Sequence, residues 1–339
     1  MIENSSNFRN VVTDYHLVND YEGEISEIAM MIPDGHFSIV EDIIKSLLEE
    51  IPRVKLTIFT SKENSAFNDL RNSQYTIEII KVDNVNSKWI QDDFIIAKKG
   101  GKNVFLTPVT GSSNPMREVS IKYQTSLWGI PYSLVGGNTL KIGDHLLVGG
   151  DSIEPRNGRV SFQGLGAFLS QLNVIPIYIG GCEEKSGFLS CQAPKFYHLD
   201  LGILVIDSSN IIVTVPGLND PDYTYVKNQV LEPLTKTLGE CTVKELNVPL
   251  LGEGLNKYYP YFTNALVETR NGNTHVYAPC YTCDGKQKQK LKDSKIQFKD
   301  LVNSITGHPP RWIKGDFCRL TAREGGSLHC MTKVIKRNV

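Results

Sequence analysis

Cys330 is the residue of this chain best suited to covalent chemistry. It sits in Gly-Gly-Ser-Leu-His-Cys-Met-Thr, behind Gly325 and Gly326 and directly after His329, nine residues from the C-terminus. Most free cysteines are small buried hydrophobes. Here the glycine pair allows a close backbone approach, and His329 makes the neighbourhood polar. The following Cys-Met-Thr-Lys-Val-Ile reads as a strand that would hold the thiol at a fixed height. A cysteine held this way can serve as a thiolate nucleophile.

A second constellation is Phe-Tyr-His-Leu-Asp-Leu-Gly. Read as a strand, it projects His198 and Asp200 from one face and Leu199 and Leu201 from the other, so an imidazole and a carboxylate point together. The plain alternative is a polar pair on the wet face of a sheet. A third is Trp-Ile-Gln-Asp-Asp-Phe, with adjacent carboxylates at Asp92 and Asp93. On a strand these face opposite ways, so only one serves a given pocket; capping a turn is the alternative.

Two other motifs carry less. Cys280 and Cys283 form a CxxC, but there is no second CxxC, and a zinc site would have to recruit Cys182 and Cys191. The stretch Gly164-Leu165-Gly166 lacks the third glycine and the preceding strand of a dinucleotide fingerprint.

Candidate residues need elements to hold them. Glu-Ile-Ser-Glu-Ile-Ala-Met-Met-Ile reads as a strand; Ile39, Val40, Ile43, Ile44, Leu47 and Leu48 share one helical face, and Val-Lys-Leu-Thr-Ile-Phe returns as an apolar strand. Similar units recur: a helix over Ser-Phe-Gln-Gly-Leu-Gly-Ala-Phe-Leu before Val-Ile-Pro-Ile-Tyr-Ile, and two strands, a helix and a strand between Leu201 and Val248. Two further paired strands then precede a weakly helical lysine-rich stretch. Repeated ββαβ units predict an α/β architecture of similar modules. Gly-Gly pairs at 100, 136, 149, 180 and 325 punctuate them as turns.

The 339 residues hold 36 Lys and Arg against 37 Asp and Glu, so no global charge points to nucleic acid or an anionic membrane. Residues 1–22 read as a polar, aperiodic arm and 23–339 as one domain, since no Pro- or Ser-rich linker divides the chain. The N-terminus lacks a basic, then apolar leader, and no apolar run is long enough to span a bilayer. Seven cysteines at irregular spacing argue against a disulfide framework and fit a reducing compartment. The expectation is a cytoplasmic protein, with export by another route left open.

Asp92 in Trp-Ile-Gln-Asp-Asp, the His198-x-Asp200 pair and the terminal Gly-Gly-Ser-Leu-His-Cys occur in an order that resembles the guanidine-modifying enzymes of the pentein superfamily. Val-Gly-Gly-Asn-Thr-Leu-Lys-Ile-Gly-Asp lies between the first two. The resemblance runs from about Glu24 onward and takes in agmatine, arginine and protein-arginine deiminases and glycine amidinotransferases. It implies a five-bladed α/β propeller of ββαβ modules around a polar pocket. It also implies that Cys330 is the nucleophile, His198 the general acid and base, and Asp92 and Asp200 the guanidinium-holding carboxylates. Trp89 and Asn138 are implied as further substrate contacts, and neither metal nor organic cofactor enters. His329, on the far face of its strand, is expected to be structural.

The C-terminal third looks most like the agmatine deiminases, while Trp-Ile-Gln-Asp-Asp looks more like the protein-arginine deiminases. Agmatine deiminases usually carry Trp-x-Arg-Asp followed by Gly-Pro, and Glu before the central Gly-Gly; this chain has Gln91, Asp93-Phe94 and Val135 there. The expected activity is hydrolysis of a small guanidine such as agmatine to a ureido product and ammonia. The alternatives are deimination of peptidyl arginine and amidino transfer to an amine. The expected partner is thus a guanidine-bearing small molecule or peptidyl arginine, with no nucleic acid and no membrane.

Overall fold

Five times over, the chain forms two antiparallel strands, a helix, and a third strand parallel to the second. The computed structural model describes residues 15–62, 67, 70, 74–108, 114–130, 132, 134–149, 162–180, 183–185, 188–190, 198–252, 257–282 and 288–338. The first module is Ile95–Lys99, Lys102–Pro108, helix Asn114–Lys122 and Ser126–Ile130. The second is Thr139–Ile142, His145–Gly149, helix Phe162–Gln171 and Ile175–Ile179. The third is Ile203–Asp207, Asn210–Pro216, a helical stretch from Tyr223 to Thr237, and Thr242–Val248. The fourth is Leu266–Arg270, Asn273–Pro279, helix Lys288–Thr306 and Arg311–Ile313.

The fifth module joins the chain ends. C-terminal strand Thr332–Asn338 runs antiparallel to Glu24–Ile32, which continues through helix Phe37–Glu50 to the parallel strand Lys55–Thr60, with Thr76–Lys81 added outside. This is the five-bladed propeller with its last blade closed between the two ends.

The helix at Phe37–Glu50 illustrates why the units form. Its 3.6-residue spacing places Val40, Ile43, Ile44, Leu47 and Leu48 against the sheet with 0–1% exposure, each worth about 1.5–3 kcal/mol on burial. The third-module helix contains Pro233, which has no N–H to give to the carbonyl of Gln229. The helix widens to a π turn over Lys227–Leu231, and Gln229 O instead accepts the N–H of Gly180 at 3.1 Å. The lysine-rich stretch after Cys283 forms the 19-residue helix Lys288–Thr306, better formed than its weak pattern suggested.

The expected arm needs correction over its second half. Tyr15, Leu17 and Tyr21 are buried, and His16–Leu17 pairs with the edge strand Ile95–Lys99. Three apolar side chains among the polar ones are enough to seat this segment. No described helix is long and apolar enough to cross a membrane.

Strand direction fixes where a site can be. In every module the first strand begins where the second and third strands end, at one common end of the ring. The short segment leading into each first strand therefore reaches that end.

Candidate active site

Five lead-in turns converge there. They are the one-turn helix Ile90–Asp93, the 3-10 turn Gly136–Asn138, the one-turn helix Leu199–Gly202, the bend around Thr263 and Asn264, and the one-turn helix Leu328–Met331. Each is held by its neighbours. Asp92 Oδ1 accepts the Gly137 N–H at 3.2 Å, and Asn138 Oδ1 accepts the Leu199 N–H at 3.1 Å. Asn264 Nδ2 donates to the Asp200 carbonyl at 3.0 Å, while its Oδ1 accepts from His329 N at 2.7 Å and Cys330 N at 3.3 Å. Backbone groups that a strand would pair along a ladder are satisfied here by side chains of the adjacent turn.

That is why two strand expectations fail. His198 is extended, but Asp200 lies on a helical turn and the strand starts only at Ile203. Cys330 likewise sits on a turn, with the strand beginning at Thr332. The turn also overturns the placement of His329 on a far face: its Nδ1 is 2.8 Å from Asp200 Oδ2, inside the same cluster. Asp92 and Asp93 also share a helical turn rather than a strand.

The path to Cys330 is fixed step by step. Gly325 ends the helix Phe317–Glu324 at φ 71°, a left-handed cap that favours glycine. Gly326 lies flat on the indole of Trp89, where a Cβ would come within 2.5 Å of the ring. Ser327, fully buried, accepts from Tyr281 Oη at 3.0 Å, and Thr321 Oγ1 donates to Gly326 O at 3.1 Å. The Trp89 ring is also faced by the Lys88 ammonium, which pairs with Glu324 at 2.7 Å.

Around Gly137 the chemistry-bearing groups meet. A Cβ on that glycine would lie 2.5 Å from Asp92 Oδ1, 3.0 Å from His198 Nδ1 and 3.3 Å from Asp200 Oδ1, so only hydrogen there leaves the space open. His198 Nδ1 is 3.2 Å from Asp92 Oδ1. Cys330 Sγ lies 3.4 Å from Asp200 Oδ2 and 3.3 Å from Asn264 Nδ2. Asp200 is 2% exposed, and its Oδ1 has no hydrogen-bond partner among the described residues. A buried carboxylate oxygen left unpaired is costly, and it marks where a cationic donor would be accepted.

Burial pushes the Cys330 thiol well above its ordinary value, and the negative charges of Asp200 and Asp92 push it the same way, against the Ser327 and Asn264 hydrogen bonds. Burial lowers the pKa of Lys333, whose ammonium lies 5.1 Å from the Phe94 ring, against the pull of Asp20, Asp92, Asp200 and Asp93. Burial raises Asp93 to about 7, with the charge of Asp92 adding to it and Lys333 opposing.

Among the sequence candidates, Asp92, His198, Asp200 and Cys330 come together, with Trp89 bracing the Cys330 loop. Asn138 is fully buried; its Oδ1 holds the Leu199 N–H, and the carboxamide is pressed against Gly149, where a Cβ would fall 2.0 Å from Oδ1. Asn264, Gly137 and His329 belong to the cluster without having been singled out for it. Their signal is positional, since each lies within three residues of the start of a module's first strand. Cys280 accepts from Lys295 at 2.9 Å. Cys182, Cys191 and Cys283 lie outside the described residues. Of the arginines that could meet the α-carboxylate of a free amino acid, Arg156 and Arg159 also lie outside them, while Arg117 and Arg323 are exposed on helices.

The same fold is found in solved structures. The agmatine deiminase of C. jejuni superposes with a TM-score of 0.71 at 18% identity, over 94% of this chain and 95% of that one. The agmatine deiminase of Enterococcus faecalis gives 0.69 at 14%, over 94% and 95%. A protein provisionally named a peptidyl-arginine deiminase gives 0.71 at 18%, over 96% and 99%. No family model and no curated protein sequence matches the chain.

Proposed function

We propose that the protein is a cysteine-dependent deiminase that hydrolyses a small cationic guanidine, agmatine in the first instance, to a ureido product and ammonia. The observation that carries this reading is buried Asp200: its Oδ2 lies 3.4 Å from the Cys330 thiol, while its Oδ1, which has no hydrogen-bond partner among the described residues, stands across Gly137 from Asp92. A guanidinium is planar and permanently charged, and its N–H groups match two carboxylates set on either side of such a gap. The named structural neighbours fit the same reading.

The chemistry follows from the charges. Burial first, and then the charges of Asp200 and Asp92, hold the thiol protonated; a guanidinium offsets both carboxylates and so eases its ionisation. The Cys330 proton passes to His198 as Sγ bonds to the guanidinium carbon. Imidazolium then protonates the departing amine, the C–N bond breaks, and ammonia leaves a thiouronium on Cys330. Water gives a proton to His198 and adds to the same carbon, the C–S bond breaks, and the ureido product and the thiol are regenerated. Asn138 Oδ1 holds the His198–Asp200 turn through the Leu199 N–H.

One feature favours an amine-bearing guanidine over free arginine. Loop 217–222 follows strand Asn210–Pro216 at the site end, and there Tyr259 Oη donates to Asp220 Oδ1 at 2.8 Å and lies 3.3 Å from Asp222 Oδ2. An acidic pair suits a second cation and repels an α-carboxylate. The test is steady-state kinetics on agmatine, arginine, methylated arginine and an arginine peptide, reading ammonia and ureido product. Agmatine is expected to lead; a peptide exceeding it tenfold in kcat/KM, about 1.4 kcal/mol, would refute the small-amine reading. Arginine yielding ornithine without ammonia when an acceptor amine is present would make it an amidinotransferase.

A further inference from the structure

Asn264 has no counterpart among the residues that the deiminase reading uses, yet it touches the reacting sulfur. It is fully buried, and every position on its carboxamide is filled. Nδ2 donates to the Asp200 carbonyl at 3.0 Å and to Cys330 Sγ at 3.3 Å. Oδ1 accepts from the backbone N–H groups of His329 and Cys330 at 2.7 and 3.3 Å. This pattern also fixes which end is oxygen, because two backbone donors need the acceptor and a carbonyl needs the donor. The residue itself is anchored through its own N–H to the Tyr261 carbonyl at 3.1 Å.

We propose that Asn264 is a further catalytic residue: its amide N–H stabilises the Cys330 thiolate as it forms, while its Oδ1 fixes the backbone that aims the thiol. In the resting site Sγ can donate to Asp200 Oδ2 and accept from Asn264 Nδ2. When the thiol proton leaves, the contact with Asp200 turns repulsive and the contact with Asn264 becomes charge-assisted, so its strength grows as the nucleophile forms. Asn264 thus opposes the field of two carboxylates together with the backbone hydrogen bond from Ser327. The other titratable groups around the thiol are Asp92 and Asp200 from two lead-in turns, Tyr261 beside the fourth and His329 on its own turn. His198 stands next to Asp92, and Lys333 follows on the strand.

The proposal rests on the deiminase reading for its place in catalysis, but its central claim is tested without substrate. Iodoacetamide labelling of Cys330, followed by mass spectrometry of its peptide from pH 6 to 11, reports the thiolate directly. Asn264→Asp keeps an oxygen for His329 N and Cys330 N but replaces the donor and adds a negative charge; Asn264→Ala removes donor and acceptor without adding charge. The labelling midpoint is expected to rise by about one pH unit or more in each, and kcat on the turned-over guanidine to fall about 100-fold or more with KM changed less than about threefold. A folded Asn264→Asp protein with the parent labelling profile overturns the proposal, even if turnover is lost. If Asn264→Ala fails to fold, the near-isosteric and uncharged Asn264→Leu takes its place. A raised midpoint in the variants of a parent protein that itself turns over no guanidine would uphold the thiolate role and refute the deiminase reading instead.

Discussion

Asp93 is the carboxylate that the proposed reaction leaves unused, and removing its charge is expected to stabilise the protein at alkaline pH without silencing it. Asp93 shares a helical turn with Asp92, is half-buried, and has a pKa raised to about 7 by burial first and by Asp92 second. In the unfolded chain it returns to 3.8. The folded state therefore binds the extra proton between these values, and stability present below pH 4 is lost as pH rises toward 7. The full interval corresponds to about 4 kcal/mol at 1.36 kcal/mol per pH unit; discounting for partial exposure leaves about 2 kcal/mol. Asp93→Asn cannot ionise, so it should match the parent near pH 4 and exceed it by about 2 kcal/mol at pH 8. Urea unfolding at pH 4.5, 6 and 8 measures the gap directly. A gap independent of pH would refute the reasoning, because the difference is attributed to this proton. Activity supplies the complementary arm: Asp93→Asn should keep kcat/KM within about threefold, whereas Asp92→Asn, losing a charge-assisted contact of about 1.5–3 kcal/mol, should lose about 10- to 150-fold. The reverse outcome would exchange the two assignments.

Cys330→Ala is expected to abolish ammonia release while its melting temperature stays within a few degrees, since the scaffold lies in the five modules; a folded variant with more than a trace of turnover would remove Cys330 as nucleophile. Gly137→Ala puts a methyl group 2.5 Å from Asp92 Oδ1 and 3.0 Å from His198 Nδ1, so kcat/KM should drop about 100-fold or more, and near-parent kinetics would mean that the pocket does not lie over Gly137. Asp222→Asn should raise KM for agmatine several-fold and leave kcat for a guanidine without an amine unchanged; equal effects on both would detach loop 217–222 from substrate recognition.

Periodicity made the helices and most strands legible, because the apolar face of Phe37–Glu50 and the alternation of Asn210–Pro216 are local signals that the sheet only confirms by burying them. The conformations of the lead-in turns were not legible for the opposite reason. Leu199 N–H, Asp200 C=O and the N–H groups of His329 and Cys330 are satisfied by Asn138 and Asn264, which stand 61 to 66 residues away in sequence. No local pattern announces such a partner, and so His198-x-Asp200 and His-Cys-Met-Thr read as strands. Asn264 escaped notice in Tyr-Phe-Thr-Asn-Ala-Leu-Val-Glu for the same cause. Its position two residues ahead of Leu266 matches that of Cys330 ahead of Thr332, and Asp92 and Asp200 each stand three ahead of their strands. Aligned by module rather than by residue type, the site becomes a ring in which each turn holds the next. The proposed nucleophile, clamp and their supports can then come from five segments spread over the chain, because the propeller supplies the common end and the turns supply one another's missing hydrogen bonds.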